Sequence, residues 1–397
     1  MGHDGPVPSE LTTRLRPYTA TIFGEMSALA SRLGAVNLGQ GFPDTDGPDE
    51  LLRAAADNIL AGVGNQYPPA HGLPELRRAI ATHQQHWYGL ELDWATDVVV
   101  ATGASEALAA SAIALLEPGD EVLVLEPYFD LYPPIVAMAG ATPVPVAPDP
   151  ATYRVDASAL RAAVTERTSM IIVNSPNNPT GQVWTAAELD AVAAVAREAD
   201  LFVLADEAYE HLWFDGHPHI PMATRPGMFD RTVTVGSGGK CFSLTGWKVG
   251  WATGPEHLIS AVKVARQHLS YVSAGPFQPV IAAGLALPDA YFDELRHSMQ
   301  RSGERLLEGL SGLGFGISPI EGTYFATTDV RPLGFADGRD FCDWAPHQAG
   351  VVAIPHQALC RSDAGDPYVR WAFCKQDETI DLAMARLAPA LQERGSI

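Results

Sequence analysis

The chain has 397 residues, 47% hydrophobic and 18% charged, which is globular composition with ample core material and more length than one ordinary domain needs. Its 26 basic and 47 acidic residues give a formal net charge of −21, and so acidic a balance argues against binding a nucleic-acid backbone. Four widely spaced cysteines, Cys241, Cys342, Cys360 and Cys374, form no CxxC pair, so reduced thiols are expected rather than a disulfide framework or a metal knuckle.

The opening stretch "MGHDGPVPSELTTRLRPYTATIF" has no apolar run behind a basic start, and no later run reaches the length of a membrane span. A cytoplasmic protein is the expectation. His83 and His86 stand at i, i+3 on a polar helix, "THQQHWYG", and His217 and His219 flank Pro218. Neither pair has a third ligand at a usual spacing, so surface histidines are expected and no metal is assigned.

From about Asp97, short apolar strands alternate with helices. "DVVVATG" reads as a buried strand and "SEALAASAIALL" as a helix beginning near Ser105. "GDEVLVLEP", "SMIIVN", "LFVLAD", "RTVTVG" and "KVGWATG" read as further strands. The helix "TAAELDAVAAVAREA" opens on a capping box, Thr185 to Glu188. This pattern predicts an α/β fold, a mainly parallel sheet flanked by helices. From about Ala290 a long helix, scattered strands and a final helix predict a smaller α+β domain. The expected division is 46–290 for the large domain, and 1–45 with 291–397 for the small one.

Several stretches carry chemistry. In "ATGASEAL" a strand ends at Thr102 and a glycine leads into a helix, whose N-terminus offers free N–H groups and a positive dipole end to a phosphate. The plainer reading is a simple connection, and the stretch lacks the full GxGxxG and the P-loop lysine. "NSPNNPTG", residues 174–181, is a turn by composition, yet it leaves the C-terminal end of a strand, where such sheets bind ligands. "LFVLADEAY" delivers Asp206 to a strand tip with Tyr209 three residues on; the alternative is a helix cap. In "SGGKCFSLTGWKVGW", Lys240 sits among small and apolar residues, which favour a neutral, nucleophilic amine. A lysine for a Schiff base, an aspartate for a protonated ring nitrogen, an amide and a phenol for a ring hydroxyl, and a helix end for a phosphate are the parts that pyridoxal 5′-phosphate requires.

These stretches, in this order with "EPYFDLY", resemble the fold-type I, class I aminotransferases over nearly the whole chain. "VNLGQGFPDTDGP" and "NQYPPAHGLPELRRAI" are similar to the subgroup of kynurenine aminotransferases, glutamine transaminase K/cysteine-conjugate β-lyases and methionine aminotransferases. Overall, "EMSALA", "NLGQGFPD", "TGWK" and "PFQP" most resemble actinobacterial proteins assigned as N-succinyl-L,L-diaminopimelate aminotransferases, which act in lysine biosynthesis.

The resemblance implies the following roles. Lys240 bonds the cofactor and shuttles a proton, Asp206 pairs with the ring nitrogen, and Asn178 and Tyr209 bond the ring hydroxyl. Phe129 stacks on the ring. Ala104, Ser105, Ser237 and Lys248 hold the phosphate, and Tyr67 reaches the phosphate of a second subunit, which implies a homodimer. Arg370 and Gly41 take the substrate carboxylate, Asn178 also contacts the substrate, and Phe23 lines its side-chain pocket, in a region that also includes Phe277 and Tyr324.

The resemblance further implies a ping-pong transfer between an L-amino acid, with glutamate expected, and a 2-oxo acid. Two departures stand out. "SGGK" has two glycines where alanine is more usual, and Ser105 stands where kynurenine-type enzymes have tyrosine, which leaves room for a longer or more polar substrate. The rival readings are a kynurenine, aromatic or methionine aminotransferase, a cysteine-conjugate β-lyase, and a ligand-sensing regulator, which the lack of a nucleic-acid-binding module disfavours.

Overall fold

The structure, a computed structural model, describes residues 10–19, 21–149 and 152–395. A seven-stranded sheet organises the larger part. Its strands are β1 (Val98–Thr102), β2 (Glu121–Leu125), β3 (Thr142–Val146), β4 (Thr168–Asn174), β5 (Phe202–Asp206), β6 (Thr232–Ser237) and β7 (Val249–Thr253). In space they run β1-β7-β6-β5-β4-β2-β3. The pairs among β2 to β6 are parallel, whereas β7 is antiparallel to both β1 and β6.

Two features depart from the sequence reading. The strand "KVGWATG" runs against its neighbours because β6 and β7 are joined only by the short helix Gly238–Cys241 and a 3-10 turn, Thr245–Trp247, with no crossover element. As a result β7 begins where β6 ends, and Lys248 lies at the same sheet edge as Lys240. The second feature, β3 ("TPVPV"), was not anticipated. Pro143 and Pro145 cannot donate to a ladder, and the strand is tolerated because it pairs on one side only, at the sheet edge.

Period-2 alternation sends side chains to opposite layers. Val99, Ala101, Val122, Val124, Met170 and Ile172 pack with the helices Gly103–Leu115, Tyr132–Met138 and Glu256–Leu269. Leu123, Ile171, Val173, Val203 and Ala205 pack on the other face with the helix Ala186–Glu198, while Val98, Val100 and Trp251 pack with Asp49–Ala61, Pro74–Tyr88 and Gln278–Leu285. Each buried aliphatic side chain contributes about 1.5–3 kcal/mol, against about 1 kcal/mol net for a hydrogen bond, so these rows dominate the sheet's stability. The expected capping box is present. Thr185 Oγ1 accepts the Glu188 N–H at 3.3 Å, and Glu188 Oε2 accepts the Thr185 N–H at 2.8 Å.

The C-terminal part holds a four-stranded antiparallel sheet in the order Ile354–Pro355, Tyr368–Ala372, Phe325–Asp329, Gly316–Ile317. The helix Ile22–Leu33 packs there through Ile22, Met26 and Ala30, spaced i, i+4, i+8 on one face. Thr21 caps this helix by accepting the Gly24 N–H at 3.1 Å. Val36–Asn37 pairs in parallel with Val351–Val352. The early residues thus pack with the C-terminal part. All four cysteines are free and buried. Among the described residues, no helix is long and apolar enough to cross a membrane.

Candidate active site

Register brings the chemistry to one sheet edge. Asn174 pairs with Asp206, Asp206 with Val235, Ser237 with Gly250, and Thr102 with Val249. Beyond this edge lies a cavity of about 430 Å³. Lys240, Lys248, Asp206, Asn178, Tyr209 and Phe129 line it, as do Ala104, Ser105 and Ser237. Phe23, Gly41 and Arg370 reach it from the N- and C-terminal parts. Tyr67 is the one proposed site residue outside it. That side chain is 81% exposed, with its ring edge-on to Tyr271 at 5.7 Å. Phe277 and Tyr324 are not in the lining either, and Phe277 stacks on Trp247 at 4.6 Å.

The helix Gly103–Leu115 begins two residues earlier than the sequence suggested and carries no side-chain cap, so its first N–H groups stay open. Gly103 has φ +72°, and a Cβ there would stand 3.0 Å from Lys248 Nζ. A Cβ on Gly250 would stand 2.4 Å from the Gly103 carbonyl carbon. Only glycines let the strand, the helix end and the ammonium come this close. A dipole end and a cation sharing one spot suit a phosphate.

Asp206 is buried. Its Oδ2 accepts from the Tyr132 hydroxyl at 2.7 Å and its Oδ1 from the Ala208 N–H at 3.2 Å. The second bond is a local turn contact, and no helix follows Asp206 for it to cap. Burial pushes the carboxyl up, against the pull of the Tyr132 bond, the Ala208 N–H and Lys240. A cation set against Asp206 would reverse that direction, as a protonated ring nitrogen does.

Lys240 extends from the short helix after β6, and its Nζ donates to the Tyr324 hydroxyl. Burial lowers its pKa to about 8; Cys374 and Asp206 oppose the shift, while Lys248 and Arg370 add to it. Apolar surroundings disfavour the charged form and so act in this direction.

Arg370 is 1% exposed and sits between the rings of Phe325 and Phe23, 4.0 and 4.5 Å from their centroids. Nη1 donates to Asn178 Oδ1 at 2.8 Å and Nη2 to the Gly39 carbonyl at 2.5 Å, while Nε has no partner. A buried guanidinium with a spare N–H suits a carboxylate ligand. Asn178 is itself fixed, because its N–H donates to Asn174 Oδ1 at 2.8 Å and Asn174 Nδ2 donates to the Asp206 carbonyl at 2.8 Å.

Sequence reasoning missed Asp130, Tyr132 and the contact of Tyr324 with Lys240. Asp130 lines the cavity, and burial raises its carboxyl to about 6, with Arg370 opposing. Tyr132, the last residue of "EPYFDLY", was the one signal available for its contact.

The histidines need correction. His83 and His219 are buried, not solvated. His83 Nε2 lies 2.6 Å from His211 Nε2, and its Nδ1 lies 3.1 Å from the Leu285 carbonyl. His219 Nε2 lies 3.2 Å from Glu207 Oε2. His83, Glu210 and His211 form a buried group behind the Asp206–Tyr209 turn. Its members come from segments too far apart in sequence for local spacing to reveal.

The model of the family "Aminotransferase class I and II" matches residues 34–387. The chain belongs to this family. It is an aminotransferase enzyme, and its relatives in the family are pyridoxal 5′-phosphate enzymes. It is 50% identical over 393 residues to a Mycobacterium tuberculosis protein named probable N-succinyldiaminopimelate aminotransferase DapC, covering 96% of this chain and 98% of that one. The solved structure of N-succinyldiaminopimelate aminotransferase from Mycobacterium tuberculosis superposes with a TM-score of 0.92 at 50% identity, covering 96% of this chain and all of that one. The methionine aminotransferase of Escherichia coli is 35% identical over 375 residues, covering 94% of this chain and 97% of that one.

Proposed function

We propose that this aminotransferase uses pyridoxal 5′-phosphate and moves an amino group between L-glutamate and the 2-oxo acid corresponding to N-succinyldiaminopimelate. The observation that carries the cofactor reading is the meeting of Lys240, Asp206 and Arg370 in one cavity with an uncapped helix end and Lys248. The substrate reading is supported by half-identity to the mycobacterial protein of that name along nearly the whole chain, and by the small Ser105 in the lining.

When bound, the cofactor supplies an aldehyde that bonds an amino group and a ring that takes up the electron pair left when the α-proton departs. Lys240 Nζ would hold the aldehyde and, as a free amine, would carry the proton taken from the substrate's α-carbon. Asp206 keeps the ring nitrogen protonated, with Tyr132 holding the carboxylate in place. Asn178 and Tyr209 bond the ring hydroxyl, and Phe129 covers the ring face. The open N–H groups of Ala104 and Ser105, with Ser237 and Lys248, hold the phosphate. Arg370 and the Gly41 N–H hold the α-carboxylate, and Phe23 bounds the side chain. Asn178 accepts from Arg370, so seating of the cofactor and of the carboxylate is linked through one amide.

A homodimer belongs to this reading. Leu60, Val63, Tyr67 and Tyr271 are exposed apolar residues, Tyr67 meets Tyr271 edge-on, and the backbones at Gly64 and Gly275 lie together, which supports a surface suited to a second copy. The division into 46–290, and 1–45 with 291–397, is supported by the packing of Ile22, Met26, Ala30 and Leu38 into the C-terminal core. A second reading, methionine transamination, is favoured by the Escherichia coli relative.

The test is a panel of 2-oxo acids with L-glutamate as donor. The succinylated amino-oxopimelate should give the highest kcat/KM, above the oxo acids of methionine, kynurenine and phenylalanine. A reversed order would move the assignment to another member of the subgroup. Pyruvate and ammonia from a cysteine conjugate, at a comparable rate, would make the enzyme a β-lyase as well.

A further inference from the structure

Behind the cavity, Tyr324 joins two parts of the site that the roles above leave unconnected. Its hydroxyl accepts from Lys240 Nζ and donates to the Gly41 carbonyl at 2.7 Å. The ring is 2% exposed and meets the Tyr209 ring edge-on, with centroids 5.1 Å apart. Its backbone is pinned, since the Phe373 N–H donates to the Tyr324 carbonyl at 2.9 Å. The preceding Thr323, with φ +61°, donates its N–H to the Leu212 carbonyl at 2.7 Å. A β-branched residue held at positive φ marks a backbone fixed by its surroundings.

Donor and acceptor counting gives this arrangement a meaning. A phenol has one proton and two lone pairs. The Tyr324 proton is committed to Gly41, so its oxygen faces Lys240 as an acceptor. A neutral lysine amine has two N–H bonds and one lone pair. By spending an N–H on Tyr324, it keeps the lone pair free, whereas a hydroxyl donating to the amine would occupy the pair needed for chemistry. The same phenol fixes the carbonyl of Gly41, a residue of the N-terminal stretch whose N–H belongs to the carboxylate site.

We infer that Tyr324 is a positioning residue, the docking point of the free Lys240 amine in each half-reaction, and that it aims the amine's lone pair into the cavity while tying that amine to the carboxylate-binding stretch at Gly41. The inference rests on the pyridoxal phosphate reading of Lys240. On capture, the Nζ lone pair bonds the aldehyde carbon, and the aldehyde oxygen leaves as water with the two amine protons. The Lys240–Tyr324 bond breaks at that step and re-forms when an incoming amino group displaces the lysine.

The experiment compares wild type with Tyr324→Phe, which keeps the buried ring and removes only the hydroxyl. Capture of pyridoxal 5′-phosphate by cofactor-free protein is followed by stopped-flow absorbance. The variant should capture the aldehyde about tenfold or more slowly, since misplacing a reacting group by about 1 Å costs up to a hundredfold. It should also show a larger primary isotope effect with α-deuterated glutamate, and a raised KM because Gly41 loses its donor. Equal capture rates and isotope effects in a variant with the wild-type unfolding transition overturn the inference. Should the Phe variant lack that transition, Tyr324→Leu is read the same way. If wild-type protein itself captures no aldehyde, the reading of Lys240 falls and the inference falls with it; capture by wild type with an unaltered variant sinks the inference alone.

Discussion

Tyr132 donates its phenol proton to Oδ2 of Asp206 across 2.7 Å, in surroundings that push the carboxyl up. The bond works against burial and keeps Asp206 charged at lower pH than it otherwise would be. A hydrogen bond to a charged group is worth about 1.5–3 kcal/mol. Tyr132→Phe should therefore weaken pyridoxal 5′-phosphate binding by about tenfold to a hundredfold. Since the variant's Asp206 protonates at higher pH, binding should fail at higher pH than in wild type. A fluorescence titration of cofactor affinity against pH checks both points, and unchanged curves would remove Tyr132 from the account.

Lys248 crowds the helix end at Gly103 closely enough that a Cβ would stand 3.0 Å from its Nζ. Its role is charge at one spot, so the expected effect depends on the phosphate. Lys248→Met should weaken pyridoxal 5′-phosphate by about tenfold or more, on the scale of one charge-assisted hydrogen bond. Pyridoxal, which lacks the phosphate, should bind the variant and wild type alike. Equal losses for both compounds would mean that Lys248 shapes the pocket rather than holding an anion.

Arg370 is flanked by two rings and bonded to Asn178 and Gly39. Lysine cannot reproduce that planar fork. Arg370→Lys should raise KM for both the amino acid and the oxo acid by about tenfold or more, while the Lys240-linked absorbance band stays. Steady-state kinetics with the spectrum of the same sample separates the two effects.

The lowered pKa of Lys240 sets a pH window. Only the neutral amine has a lone pair to give, so the rate of cofactor capture should climb about tenfold per pH unit, then level off above about 8. The group also affects stability. Between about 8 and its ordinary 10.5 the unfolded chain holds the proton and the folded chain does not, so this contribution to stability rises with pH across that interval. Below about 8 both states are protonated and the cost of burying the ammonium is constant. Capture rates from pH 6 to 10 on cofactor-free protein test the first part; a plateau beginning far from 8 would contradict the burial argument.

Much of the site was legible because each part is local. Lys240 with its glycines, Asn178 within its turn and Asp206 at a strand tip are each written in a few adjacent residues, and strand ends of one sheet must meet at one edge. What escaped the sequence depends on contacts between distant segments. Tyr324 meets Lys240 and Gly41 from another part of the chain. His83 looked like a surface histidine on a polar helix until His211 was found beside it. The reversed direction of β7 follows from the length of a connection, and β3 was hidden because its prolines are permitted only at an edge. Periodicity reports which face a residue takes, not which segment it meets.

The most direct test of the central claim is an absorbance spectrum of protein reconstituted with pyridoxal 5′-phosphate, before and after L-glutamate, run beside Lys240→Ala. Wild type should show a long-wavelength band that glutamate converts to the amine form of the cofactor, and the variant should show neither the band nor turnover. A wild-type protein with no band, or a Lys240→Ala variant that transaminates at a comparable rate, would contradict the account.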